Sequence, residues 1–70
     1  MNITTVSDLG ARIRERRRQL GYTQAFLAEY SSLSVSFISD IERGKQTCEI
    51  GKILYLVNLL GMDLEIRTRE

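Results

Sequence analysis

Between Thr23 and Gln46 the chain carries a run of donors and small polar groups that suits a regular polyanion: Gln24, Ser34, Ser36, Ser39, Asp40, Arg43, Lys45 and Gln46. Amide, guanidinium and ammonium groups match phosphate oxygens, whereas hydroxyls and a carboxylate can meet base edges. The chemistry in view is recognition of nucleic acid. Catalysis has little to stand on, because the chain has no histidine, one cysteine with no base to activate it, and carboxylates scattered over helix faces. No metal or cofactor set is visible. Cys48 reads most simply as a small residue at a helix start, the alternative being a redox sensor with a lowered thiol pKa.

Two short helices must position these groups. Thr23 can cap the first through its hydroxyl, and Phe26, Leu27, Ala28 and Tyr30 follow at helical spacing, which predicts a helix from Gln24 to Ser31. Ser31, Ser32, Leu33 and Ser34 interrupt the pattern, and Ser34 caps a second helix that Gly44 ends. Ile38 and Ile41 share its inner face with Leu33 behind them. Its outer positions are Val35, Ser36, Ser39 and Asp40. Two such helices joined by a tight turn form a helix-turn-helix, whose second helix can lie in the major groove of DNA.

The contacts expected of this unit divide into positioning and reading. Positioning falls to Thr23 and Gln24 at the start of the first motif helix, and to Arg43, Lys45 and Gln46 at the end of the second. Reading falls to Ser34, Val35, Ser36, Ser39 and Asp40. None of these is an arginine, lysine, asparagine or glutamine able to grip a purine through two bonds, so direct readout is modest and DNA shape and half-site spacing supply much of the specificity.

Around this unit the chain supplies a scaffold. Met1 to Val6 is β-prone but short, either a frayed lead or an edge strand. Ser7 or Asp8 starts a helix whose buried stripe is Leu9, Ile13 and Leu20, and Gly21 stops it. Five of the ten basic residues lie between Arg12 and Arg18, a run that is either a solvated face or a phosphate-contacting one, the second favoured by its neighbourhood. Thr47 is placed to cap a further helix beginning near Cys48 and running to Leu60, with Ile50, Ile53, Leu54, Val57 and Leu60 closing the core. Tyr55, Leu56 and Leu59 fall off that stripe and, with Met62, Leu64 and Ile66, form a candidate dimer surface. Met62 to Arg67 alternates apolar and charged residues with strand periodicity, and a lone strand needs a partner.

The ordered set Thr23, Gln24, Leu27, Ala28, Leu33, Ser34, Ile38, Ile41, Glu42, Gly44 and Lys45 resembles the Xre/Cro repressor family, and with Arg17 and LLGMDLEI the resemblance covers about residues 8 to 66. It implies an all-α, four- to five-helix, lambda-repressor-like bundle. Residues 1–7 would be a lead, 8–61 the Xre-type domain, and 62–70 a dimerisation strand and tail. It also implies a partly buried ion pair between Arg17 and Glu42, against which stands an arginine snorkelling with no fixed partner. Within the family the chain is similar to HipB-type antitoxins. That likeness implies a dimer sealed by paired C-terminal strands, a palindromic double-stranded DNA operator, autorepression and a HipA-like toxin kinase as partner. The tail's other available partner is the Ile3 to Val6 segment. Departures from the family lie at Arg16, where an apolar residue is usual, at Leu20, where a polar one is, and at Ser32, which replaces the turn glycine.

Bulk properties agree with this reading. Seventy residues with 43% apolar and 27% charged content make one small globular domain. A core this thin calls for a staple, and with one cysteine and no histidine a second subunit is the remaining one, hence an expected homodimer. A net charge of +1 argues against non-specific wrapping of nucleic acid. With neither a membrane-length apolar run nor a signal-peptide core, the expected location is the cytoplasm. Two rival functions stay open: a phage-type repressor without a toxin, and an interaction module that neutralises a partner without touching DNA.

Overall fold

Hydroxyl groups open three of the four helices. The computed structural model describes residues 2–69, in which α1 spans Val6–Gln19, α2 Gln24–Ser31, α3 Val35–Glu42 and α4 Ile50–Leu59. The side-chain oxygens of Thr5, Thr23 and Ser34 accept from the N–H groups of Asp8, Phe26 and Phe37, each at 3.0 Å. Each satisfies an orphan donor of a first turn. The caps at Thr23 and Ser34 are those expected. α1 starts earlier than Ser7, at Val6, because Thr5 is the capping residue; Val6 thus belongs to the helix and not to the lead. Asp8 in turn accepts from the N–H and hydroxyl of Thr4, both at 3.1 Å, and these bonds hold its carboxyl below the usual carboxylate range.

The turn between α2 and α3 is held by serines. The Ser31 hydroxyl is buried and accepts from the Leu33 N–H at 3.2 Å, while the Tyr55 hydroxyl donates to the Ser31 carbonyl at 2.9 Å and ties α4 to this corner. Ser32 occupies the left-handed region at φ 62°, so the glycine it replaces would have been free of strain there. Ser32→Gly is expected to stabilise the domain by about 1 kcal/mol, seen as a higher urea midpoint at unchanged slope; a lower midpoint would contradict it.

The core consists of Ile13, Leu27, Ala28, Ile38, Ile41, Ile53, Leu56, Val57 and Leu60. α1 and α3 approach so closely that their contact needs a glycine. A Cβ on Gly10 would lie 2.0 Å from the Ile41 carbonyl oxygen. Gly44, at φ +83°, ends α3 and abuts Ser7 of α1. Both glycines allow α3 to dock closely on α1.

Several expectations for α4 and for the end of α1 need correction. Leu56, assigned to a dimer surface, is fully buried within the single chain, whereas Ile50 and Leu54, assigned to the core, are 61% and 39% exposed. The buried stripe of α4 is Ile53, Leu56, Val57 and Leu60, rotated from the expected phase. A helix apolar on nearly every side does not reveal its phase by periodicity alone. Leu20 is 36% exposed, at the C-cap position just past the last residue of α1. Arg16 has no apolar role; its Nε donates to the Leu60 carbonyl at 2.9 Å and so caps the C-terminus of α4. Thr47 does not cap α4, which begins at Ile50 after Glu49 without a side-chain cap bond.

Beyond Gly61 the chain is extended but, among the described residues, no strand is assigned. The alternation from Met62 to Arg67 is that of a strand, but the Met62 N–H turns back to the Val57 carbonyl and, among the described residues, no backbone hydrogen bond joins residues 63–67 to the Ile3 segment or to another part of the chain, so no ladder forms. Met62 packs on the edge of the core, while Leu64 and Ile66 are 41% and 95% exposed. Fold class is nevertheless as expected: among the described residues, an all-α bundle of four helices.

Candidate nucleic-acid interface

One buried arginine sets the mutual position of all three motif elements. Arg17 grips Glu42 with both prongs of its guanidinium, Nε to Oε2 at 2.7 Å and Nη2 to Oε1 at 3.0 Å, and its Nη1 donates to the Tyr22 carbonyl at 2.8 Å. The Gln24 amide nitrogen donates to the same Glu42 Oε1 at 3.1 Å. One hub therefore joins α1, the turn before α2, the first residue of α2 and the last of α3. Both charged side chains are buried and fully partnered, which is the condition under which a buried pair is tolerated. Glu42, first through its hydrogen bond and then through its charge, raises the Arg17 pKa further against the opposing effect of burial. The pair implied by the family pattern is thus present, and the snorkelling alternative is not.

The expected phosphate-binding residues are brought together in part. Gln24 is half-buried and its amide is turned onto Glu42, so its side chain is committed to the hub. What α2 offers a phosphate is backbone. The Phe26 N–H is taken by Thr23 and the Leu27 N–H by the Thr23 carbonyl, whereas among the described residues the N–H groups of Gln24 and Ala25 have no protein acceptor. Thr23 serves as the cap. At the other end of the motif Arg43, Lys45 and Gln46 are exposed.

The outer face of α3 is open at Ser34, Val35 and Ser36, and half-buried at Ser39 and Asp40. Asp40 is not a free acceptor. Its Oδ1 receives Arg43 Nη2 at 2.9 Å and its Oδ2 receives Lys45 Nζ at 3.4 Å. The hydrogen bond from Arg43 leads, with that from Lys45 next, in holding its carboxyl below the ordinary range. In this arrangement the carboxylate reins in the two flanking cations. The spacing of three and five residues that links them is present in the sequence, where the same position also suits a base contact.

In the sequence Arg14 and Arg18 are part of a general basic run. Folding places them with Gln24, Ser39 and Arg43 around one shallow groove. Only the packing of α1 across α2 and α3 creates this proximity. No helix is long and apolar enough to cross a membrane among the described residues.

The fold and its polar face define a helix-turn-helix domain. The sequence pattern of the family described as helix-turn-helix domain matches residues 8–69, nearly the whole chain, and the protein belongs to that family of transcriptional regulators. Among curated relatives, the uncharacterized HTH-type transcriptional regulator y4mF of Sinorhizobium fredii is 38% identical over 64 residues, covering 91% of this chain and 84% of the relative. The HTH-type transcriptional regulator RamB of Mycobacterium tuberculosis is 29% identical over 55 residues, which is 79% of this chain but 12% of RamB. Among solved structures, HipB in a complex described as HipB-O4 20mer superposes with a TM-score of 0.87 at 18% identity, over 100% of this chain and 99% of that one. A HipA-HipB-O2-O3 complex contains a chain of the same TM-score, identity and coverage. The bundle has the HipB fold.

Proposed function

We propose that the protein is a sequence-specific repressor that binds double-stranded DNA as a homodimer in the cytoplasm, acting by binding and not by catalysis. The observation that carries this reading is the α2–turn–α3 unit, locked by the Arg17–Glu42 hub, with its reading face open and flanked by Arg43 and Lys45. The second copy covers Tyr55, Leu59, Met62, Leu64 and Ile66, together with Ile50 and Leu54. Support comes from the apolar surface these residues leave in the single chain and from a tail whose strand pattern has no partner within it. Two such units place two recognition helices about one DNA turn apart, so the operator is palindromic.

The finer reading is an antitoxin that represses its own operon and binds a HipA-like kinase. It is supported by a fold shared over the whole chain with HipB, which solved structures describe in complex with HipA. Within the interface, phosphate contacts come from the free N–H groups of α2, Arg43, Lys45 and Gln46. Base contacts come from Ser34, Val35, Ser36 and Ser39, with Asp40 holding the cations in place.

Fluorescence anisotropy against the DNA upstream of the protein's own reading frame tests this. Affinity is expected to fall steeply with salt. Lys45→Ala should weaken binding to all duplexes alike and lower the salt slope by about 1, while Ser36→Ala should change base preference at an unchanged slope. Absence of binding at low salt, with a HipA-like partner added or withheld, would eliminate the repressor in favour of a protein-interaction module.

A further inference from the structure

The groove bordered by Arg14, Arg18, Gln24, Ser39 and Arg43 extends the interface onto a helix that lies outside the helix-turn-helix itself. Arg14 and Arg18 are both exposed, and four residues apart they project from the same side of α1. Among the described residues no carboxylate lies within ion-pair distance of either, whereas Arg12, Arg17, Arg43, Lys45, Lys52 and Arg67 all have one. Arg16, between them in sequence, also lacks a carboxylate but is held by the Leu60 carbonyl and by Gln19, so Arg14 and Arg18 are the neighbouring pair on α1 left with no partner among the described residues. Two neighbouring cations left without an acid repel each other on an isolated helix, an arrangement that an external anion relieves.

The position of the groove says which anion. Gln24 stands at the start of α2, and Ser39 and Arg43 lie on α3, so the groove is continuous with the face that meets the duplex. A strand that passes the start of α2 on its way along α3 runs beside the second half of α1. We infer that Arg14 and Arg18 are phosphate anchors for the DNA backbone, a clamp supplied by α1 in addition to the contacts of the motif. The inference rests on the DNA-binding reading above and adds to it two residues and a third contacting helix. Arginine suits the role, since its planar fork stays charged and meets phosphate oxygens through paired bonds.

Anchors of this kind act on every sequence alike and reveal themselves in the salt dependence. The experiment measures binding of the full chain to its upstream DNA and to a short duplex of random sequence over a salt series, for wild type, Arg14→Gln, Arg18→Gln and the double variant. Each substitution is expected to lower the slope of log K against log salt by about 0.9, and the double variant by about twice that, equally on both duplexes. Thermal midpoints should stay level or rise. Arg12→Gln serves as the control, because Arg12 pairs with Glu15 and faces the groove beneath the C-terminal tail; its slope should equal that of wild type. An unchanged slope in the double variant would overturn the proposal while wild-type binding left the DNA-binding reading intact. So would an Arg12→Gln effect as large as that of Arg14→Gln. Wild type that binds neither duplex at low salt removes both.

Discussion

Glu42→Ala is expected to destabilise the domain by about 3–5 kcal/mol, because it strands the Arg17 guanidinium in a site largely closed to water. In a domain of this size the loss corresponds to a drop in Tm of more than about 12 °C, readable by circular dichroism. The reason lies in the balance between desolvation and pairing. Arg17 and Glu42 retain 8% and 9% of their exposure, so each has given up most of its hydration, and only the two-pronged bond between them compensates. Removing one partner leaves the desolvation of the other unanswered. Replacing both is a different matter: Arg17→Met with Glu42→Leu fills similar volume without charge and should recover much of the stability. A loss below about 1 kcal/mol for Glu42→Ala would mean that Arg17 finds water or another acceptor, and that the hub is not what fixes α3.

Gly10→Ala is the second large effect. The added methyl would sit 2.0 Å from the Ile41 carbonyl oxygen and 3.0 Å from that of Glu42, and both are backbone atoms of the recognition helix that no rotamer change can move. The helices must separate. A loss of about 3 kcal/mol or more is expected, at the upper end of overpacking in protein cores. The comparison that isolates the cause is Gly51→Ala in α4, where a Cβ meets nothing within 4 Å. There the only change is helix propensity, and a gain of about 0.5–1 kcal/mol should follow. Equal urea midpoints for the two variants would show that α1 and α3 have room to spare.

The features legible in the amino-acid sequence are local ones. Thr23 and Ser34 announce helix starts by their own hydroxyls, Gly21, Gly44 and Gly61 mark helix ends, and the Arg17–Glu42 pair follows from a cation placed in an apolar stripe together with the family pattern. Each of these depends on residues near in sequence or on a rule about buried charge. The misjudged features are those set by contacts across the fold. The phase of α4 was hidden because Leu54, Tyr55, Leu56, Val57, Leu59 and Leu60 leave no polar side to orient it. Arg16 gave no hint that it would cap a helix 44 residues away. Asp40 stands on the outer face of α3, where a base edge and the cations three and five residues on compete for the same carboxylate. Arg14 and Arg18 are undistinguished among five basic residues of the sequence; only the bundle shows that Arg12, Arg16 and Arg17 have partners and these two have none among the described residues. The tail is a separate case, since its alternation is plain, but a ladder requires a second strand that one chain does not provide.

The bonds from Arg17 to Tyr22 and Glu42, and from Gln24 to Glu42, have a bearing on association kinetics. They unite the entry of α2 with the exit of α3 in a single stiff body before any duplex is met. A reader that is already set sacrifices little conformational freedom on arrival. Capture should then depend on orientation and on attraction at long range, and a wrong site should be released without first undoing a refolded segment. That is the behaviour required of a small regulator that must sample many sites quickly and stay on few.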